Sequence, residues 1–196
     1  MIGIILNEGI SNEKNSIYYV YQSFFKLEYN YLLIPLTDIE DIKSKIKLCR
    51  GIIMQGGDDY LEIHKKIIRY LYDKDIPLLA ICMSMQAMGV EFEGSLKKVN
   101  NHKDKLKYSH KVKIKKDTLL YNILKKEQIY VNSSHKEALN TTSLVVCAES
   151  DVIEAIEASN KKFFLGIQWH PEKMIEYDNL EYKIFDYFKK VCEGDL

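Results

Sequence analysis

"PLLAICMSMQAMG", residues 77–89, decides how this chain is read, because an apolar run stops there at a cysteine and a helical pattern begins. An apolar run of that length, bounded by a proline, predicts a buried strand. Cys82 then sits on the corner between strand and helix. A buried, inert thiol is the ordinary reading of a free cysteine. On a strand-to-helix turn there is a second one, since amide N–H groups and the helix dipole favour thiolate over thiol. The stretch alone leaves both open.

Working outward, "IGIIL" (2–6), "NYLLIPL" (30–36) and "GIIM" (51–54) predict three more strands. Between them, Ile17, Val20, Tyr21, Phe24 and Phe25 fall at helical spacing, as do Leu61, His64, Ile67, Ile68 and Leu71. A short polar helix is expected around 38–48. Strands alternating with helices imply a mainly parallel sheet covered on both faces. After residue 109 the pattern changes. "HKVKIKK" (110–116) alternates strictly, and "IYVNS", "LVVCA", "VIEAIEA" and "FFLGIQW" follow with short turns. These predict antiparallel or mixed pairing near one sheet edge. Leu180, Ile184, Phe185, Phe188 and Val191 mark a last amphipathic helix. One α/β domain over 1–196 is the expectation: a mainly parallel central sheet, helices on both faces and an antiparallel or mixed edge.

Charge and cysteines narrow the function. The 196 residues carry 28 basic and 28 acidic side chains, which argues against wholesale binding to nucleic acid or an anionic membrane. "MIGIILNEGISNEK" lacks the basic leader of a secretory signal, and no apolar run approaches the ~20 residues of a membrane span. Cys49, Cys82, Cys147 and Cys192 form no CxxC pair or metal-ligand spacing. The expectation is a soluble, reduced, cytoplasmic protein with no metal and no cofactor.

In open α/β sheets, reactive groups gather at the carboxyl ends of the strands. Three stretches fall there: "QGGDD" (55–59), Cys82 and "QWHPE" (168–172). A cysteine nucleophile needs a base, and the base needs an orienting group. His170 and Glu172 supply both, with Pro171 stiffening the link. Two apart in an extended segment, they project the same way. The carboxylate would hold the imidazole in one tautomer. Gly56 and Gly57 would let backbone N–H groups approach a developing oxyanion, and the Met83 amide would be the second donor. Each signal is weak alone; together, at strand ends, they point to one site. His64 is expected to pack, Cys49, Cys147 and Cys192 to fill the core, and Glu154 and Glu157 to take no part in catalysis.

"GIIMQGGDD", "LLAICMSMQ", "IYVNSSHKEAL", "DVIEAIEA" and "LGIQWHPE", in that order, resemble the motifs of the class I glutamine amidotransferase-like superfamily, within it the γ-glutamyl hydrolase (peptidase C26-like) group. The resemblance implies that superfamily's flavodoxin-like fold. It implies Cys82 as nucleophile, His170 as general base and acid, Glu172 as orienting carboxylate, and an oxyanion hole from the Gly57 and Met83 amides. Gly56, Gln86, Ser134 and His135 would contact the glutamyl group. The chain departs from the group at Met83-Ser84, where Arg-Gly or Gly-x is usual, and at His135-Lys136, where His-His-Gln is usual.

The function implied is hydrolysis of a γ-glutamyl amide through a thioester on Cys82. The alternative is a glutaminase subunit supplying ammonia to a separate synthetase partner. A non-catalytic binding module is disfavoured, having no need of all three residues. Nine lysines (97, 98, 103, 105, 107, 111, 113, 115 and 116) crowd one segment with Asp104 the only acid. Such a run is ordinarily a solvated face. Beside the nucleophile helix it would also suit a phosphate-bearing leaving group. On the resemblance, the expected small-molecule substrate is nucleotide-linked: γ-glutamyl-CDP-amidate, split to glutamate and cytidine diphosphoramidate as in capsule phosphoramidate synthesis.

Overall fold

The computed structural model describes residues 1–10, 16–100, 102 and 106–196. Among the described residues, nine strands form one sheet. Its parallel half runs, from the edge inward, β4 (Tyr31–Ile34), β1 (Ile2–Ile5), β5 (Gly51–Met54), β6 (Leu78–Ile81) and β13 (Phe164–Ile167). From β13 the order continues antiparallel through β12 (Ile153–Glu157), β11 (Val145–Glu149), β8 (His110–Ile114) and β9 (Gln128–Val131). The α/β architecture is the one expected. The antiparallel part, however, is as extensive as the parallel part: β11, β12 and β13 follow one another by short turns, while β8 and β9 are joined through α4 (Leu119–Leu124). Two small ladders stand apart: β2 (Asn7–Ile10) with β3 (Ser16–Tyr19), and β7 (Ser95–Lys98) with β10 (Glu137–Thr141).

Strands β1, β5, β6 and β13 are buried on both faces, so they are continuous apolar runs. Alternate residues feed two cores. Leu78 and Ala80 pack under α1 (Ile39–Ile46), α2 (Glu62–Asp73) and α3 (Met83–Glu91). Leu79 and Ile81 pack with α4 (Leu119–Leu124) and α5 (Asn179–Glu193) on the other face. Local signals set the helix starts: Asp38 caps α1 by accepting from the Glu40 and Asp41 amides, and Asp178 caps α5 through Leu180. Helix α3 has no polar face, and its residues Met83–Gly89 are all buried.

The helix expected from Ile17 to Phe25 does not form. Its first part is β3 and its second a 3-10 turn, Gln22–Lys26. Of the residues whose spacing suggested a helix, Phe24 is buried, whereas Ile17 is 41% and Phe25 54% exposed. The spacing therefore marked no packed face, and hairpin pairing to Asn7–Ile10 prevailed. Among the described residues, no helix is long and apolar enough to cross a membrane.

Candidate active site

Strand β6 ends at Cys82, and α3 starts at the next residue. Cys82 holds φ 51° and ψ −108°, a conformation that costs a non-glycine residue about 1–3 kcal/mol. Two backbone bonds keep it there: Cys82 N donates to Ile167 O on β13, and Gln86 N donates to Cys82 O. The strained turn lifts the thiol off the strand axis at the mouth of the sheet.

The register brings the partners alongside. Ile81 lies opposite Ile167, so the residues after β13 run past Cys82. The His170 ring lies beside the Cys82 side chain, both against Gly56. Its Nδ1 lies 2.7 Å from Glu172 Oε1, with both groups buried. The expected extended link between them is a short 3-10 turn instead, Pro171–Lys173; Pro171 opens that turn, and the carboxylate still reaches the ring. Burial opposes a charge on His170, but the Glu172 carboxylate and the Cys82 sulfur outweigh it and push the imidazole up to about 10. At neutral pH the ring holds a proton, beside a sulfur and braced from behind. By contrast, burial pushes the thiols of Cys49 and Cys147 up, and that of Cys192 up to about 12, which keeps them unreactive.

Gly56 lies against this pair. A Cβ built there would come within 2.7 Å of His170 Cε1 and 3.1 Å of Cys82 Cβ. Gly57 lies next to Asn7 and the Met83 side chain, which a Cβ would meet at 2.9 and 3.0 Å. Only glycine fits either place without a shift. A cavity of about 720 Å³ opens in front, lined by Gly57, Asp58, Cys82, Gln86, Lys98 and His135 among others. Asp59, Ser134, Lys136 and Glu137 line it too. Gln86 donates to Glu137 O at 2.7 Å and to Gln168 Oε1 at 3.1 Å, so its carboxamide N–H groups are engaged and Oε1 is what it can offer a ligand. His135 is kept neutral: burial pushes it down to about 4, against the pull of Glu154.

Several residues that hold the site were not singled out in the sequence. Asn132 clamps His170 through both backbone atoms, donating to its O at 2.8 Å and accepting from its N at 2.9 Å. Gln168 Nε2 donates to Cys82 Sγ at 3.6 Å. Asn7 Nδ2 donates to Gly56 O at 2.5 Å, and Ser84 Oγ to Gln55 O at 2.7 Å. Tyr21 stands edge-on to the His170 ring, 6.3 Å between centroids. Asn132 and Gln168 lie inside quoted motifs, and Asn7 follows a strand end, so position was a signal for all three.

The other expectations divide. His64 is buried, with Nδ1 accepting from Leu61 N. Glu157 caps α4 through the Leu119 and Leu120 amides. Much of the basic segment is occupied: Lys115 pairs with Glu149, Lys116 with Glu127, and Lys107 and Lys111 lie over Tyr177 and Tyr130. Lys98 is on the cavity wall. Lys103 and Lys105 lie outside the described residues.

A cysteine, an imidazole and a carboxylate joined in this way at an α/β strand end are the apparatus of a cysteine-dependent amide hydrolase. Residues 61–172 match the family described as Peptidase C26, and the chain belongs to that family. A glutamine amidotransferase-like protein of Rickettsia prowazekii is 27% identical, over 81% of this chain and 87% of its own length. The CTP synthase of Thermotoga maritima is 29% identical over 79% of this chain, which spans 38% of that enzyme. The CTPS glutaminase domain of Trypanosoma brucei, solved with bound acivicin, superposes with a TM-score of 0.72 at 16% identity, covering 98% of this chain and 93% of that one. That likeness extends to the fold.

Proposed function

We propose that the protein hydrolyses a γ-glutamyl amide through a thioester on Cys82. The observation that carries this reading is a cysteine on a strained elbow, with His170 beside it and bonded in turn to the buried Glu172. The Cys82 thiolate attacks the γ-carbonyl carbon. The Gly57 and Met83 amides receive the oxyanion. His170 gives its proton to the leaving nitrogen as the C–N bond breaks. A water then loses a proton to His170 and attacks the thioester, releasing glutamate and restoring the thiolate beside the protonated ring. The glutamyl group is zwitterionic, and the cavity wall carries both signs: Asp58, Asp59 and Glu137 against Lys98 and Lys136.

For the leaving group we propose a nucleotide-linked amidate, with γ-glutamyl-CDP-amidate as substrate. The cavity volume of about 720 Å³ lies high in the roughly 300–1,000 Å³ range of small-molecule sites, more than a free glutamine needs. Lys98 supports the choice as a cation on the wall. The second reading, a glutaminase acting for a separate synthetase, is supported by the likeness to CTP synthases. Glutamate release from free glutamine, a neutral γ-glutamyl amide and γ-glutamyl-CDP-amidate separates them. On the first reading the nucleotide substrate has the highest kcat/KM, which falls with salt more steeply than that of the neutral amide, and Lys98→Ala raises KM for the nucleotide alone. Free glutamine as best substrate would establish the second. Equal salt and lysine effects on all substrates would return the basic segment to a solvated face.

A further inference from the structure

Behind the cavity wall the fold gathers a second set of chemically capable side chains. His110 opens β8 and Glu154 lies on β12, the two strands that flank β11. His102 precedes β8. One ligating atom from each of the three lies within 4.8 Å of the others. His102 and Glu154 are buried, and His110 is partly so. They are too far apart in sequence to form a spacing motif; topology assembles them.

The hydrogen bonding leaves one buried carboxylate oxygen of this cluster without a partner. Glu154 has no exposed surface. Its Oε1 is paired with His110 Nε2 at 2.6 Å and accepts from Ser150 Oγ at 2.7 Å, while its Oε2 has no hydrogen-bond partner. Ser133 Oγ donates its one proton to His102 O at 2.8 Å, so at 3.3 Å from His102 Nδ1 it acts as an acceptor. His102 Nε2 faces both carboxylate oxygens of the exposed Asp151 at 3.1 Å. A fully buried carboxylate with one oxygen left unpartnered is costly, and a cation beside it offsets that cost.

We propose that His102, His110 and Glu154, with Asp151 at the rim, form a site for a divalent transition metal, zinc by the donor set. Imidazole and carboxylate ligands suit zinc, which binds them at about 2.0–2.2 Å. The ion replaces the proton between His110 and Glu154, and that proton leaves to solvent. Their contact opens from a hydrogen bond to the separation of about 3.3 Å that two ligands on one tetrahedral ion require. Glu154 Oε2 gains a positive partner, and Ser133 and Ser150 serve as the outer shell that orients the ligands. His102 O also accepts from His135 N at 2.8 Å. A metal on His102 therefore anchors the 133–135 segment, whose Ser134 and His135 line the cavity.

The test is metal retention by the whole chain, stripped with chelator, incubated with Zn²⁺ and desalted, with Co²⁺ as the spectroscopic probe. The expected result is one zinc per chain, a cobalt spectrum without a thiolate charge-transfer band, and at least a tenfold loss of affinity in Glu154→Gln and His110→Asn. Cys82→Ser should bind as the wild type does. Because Glu154 is fully buried, the more exposed His110→Asn, checked for folding by circular dichroism, carries the test if Glu154→Gln does not fold. No retained zinc in the wild type would overturn the proposal. So would a thiolate band or lost binding in Cys82→Ser, which place the ion on the catalytic sulfur, or unchanged binding in the cluster variants.

Discussion

Replacing Glu172 by Gln removes the charge behind His170 and keeps the shape of the side chain. Burial alone would lower the affinity of the ring for its proton; the carboxylate 2.7 Å away and the Cys82 sulfur together raise it from 6.5 to about 10. A rise of that size is worth about 5 kcal/mol. Glu172 leads the charging influences on the ring. Losing it should cost about 2–3 kcal/mol, or roughly 10²-fold in kcat/KM. The direction in pH follows. His170 is raised in the folded protein, so its proton persists up to about pH 10 in the wild type. Without the carboxylate that proton leaves at lower pH, and the alkaline limb of kcat/KM, a property of the Cys82–His170 pair, moves acidward by about a unit or more. The stability contributed by His170 is full below 6.5 and is lost as pH rises through about 10; the variant should lose it earlier. Initial rates of glutamate release and melting curves across neutral and alkaline pH measure both effects. An unmoved limb with kcat/KM within about threefold of wild type would mean that another group charges and orients His170.

Cys82→Ser should abolish turnover and leave the fold intact, and a glutamine-like diazoketone should label Cys82; mass-spectrometric assignment to Cys49, Cys147 or Cys192 would remove Cys82 from the mechanism. Asn7→Ala should lower kcat by about 10- to 100-fold with little change in KM. The reason is that the Gly56 carbonyl it holds belongs to the same peptide unit as the Gly57 N–H; a change confined to KM would refute this. Glu181→Gln should stabilise the protein. Burial pushes this carboxyl up to about 8, with Trp169 Nε1 donating to it at 3.0 Å. The unfolded chain ionises it near 4.5, so stability falls as pH rises from there to about 8. The amide avoids that loss, worth up to about 3 kcal/mol near pH 7 and several degrees of melting temperature. An equal gain at pH 4 and pH 8 would count against it.

The parallel half of the sheet was legible because its strands are buried on both faces, and continuous apolar runs such as 78–81 carry that directly. The corner at Cys82 and the 168–172 stretch were legible as strand ends for the same reason. The pairing of Asn7–Ile10 with Ser16–Tyr19 was not. Of its eight residues only the polar Asn7 is buried, so no apolar alternation marks it, and helical spacing at Ile17 and Phe25 fell on exposed positions. The cluster of His102, His110 and Glu154 was equally hidden, because strand order and not sequence distance brings it together.

Ser84 shows how a local departure is absorbed by tertiary structure. A glycine there would let α3 lie close on the sheet. In the fold Ser84 is buried, and Oγ donates to Gln55 O at 2.7 Å. That carbonyl belongs to the peptide unit that carries the Gly56 N–H, and Asn7 holds the next unit through Gly56 O. Two successive peptide planes of the glycine loop are thus pinned, one from the nucleophile helix and one from the start of β2. A Cβ at position 84 costs space against the sheet, and its hydroxyl ties the helix that starts at Cys82 to the loop that would receive the oxyanion. The departure from the family pattern therefore couples the two halves of the proposed site.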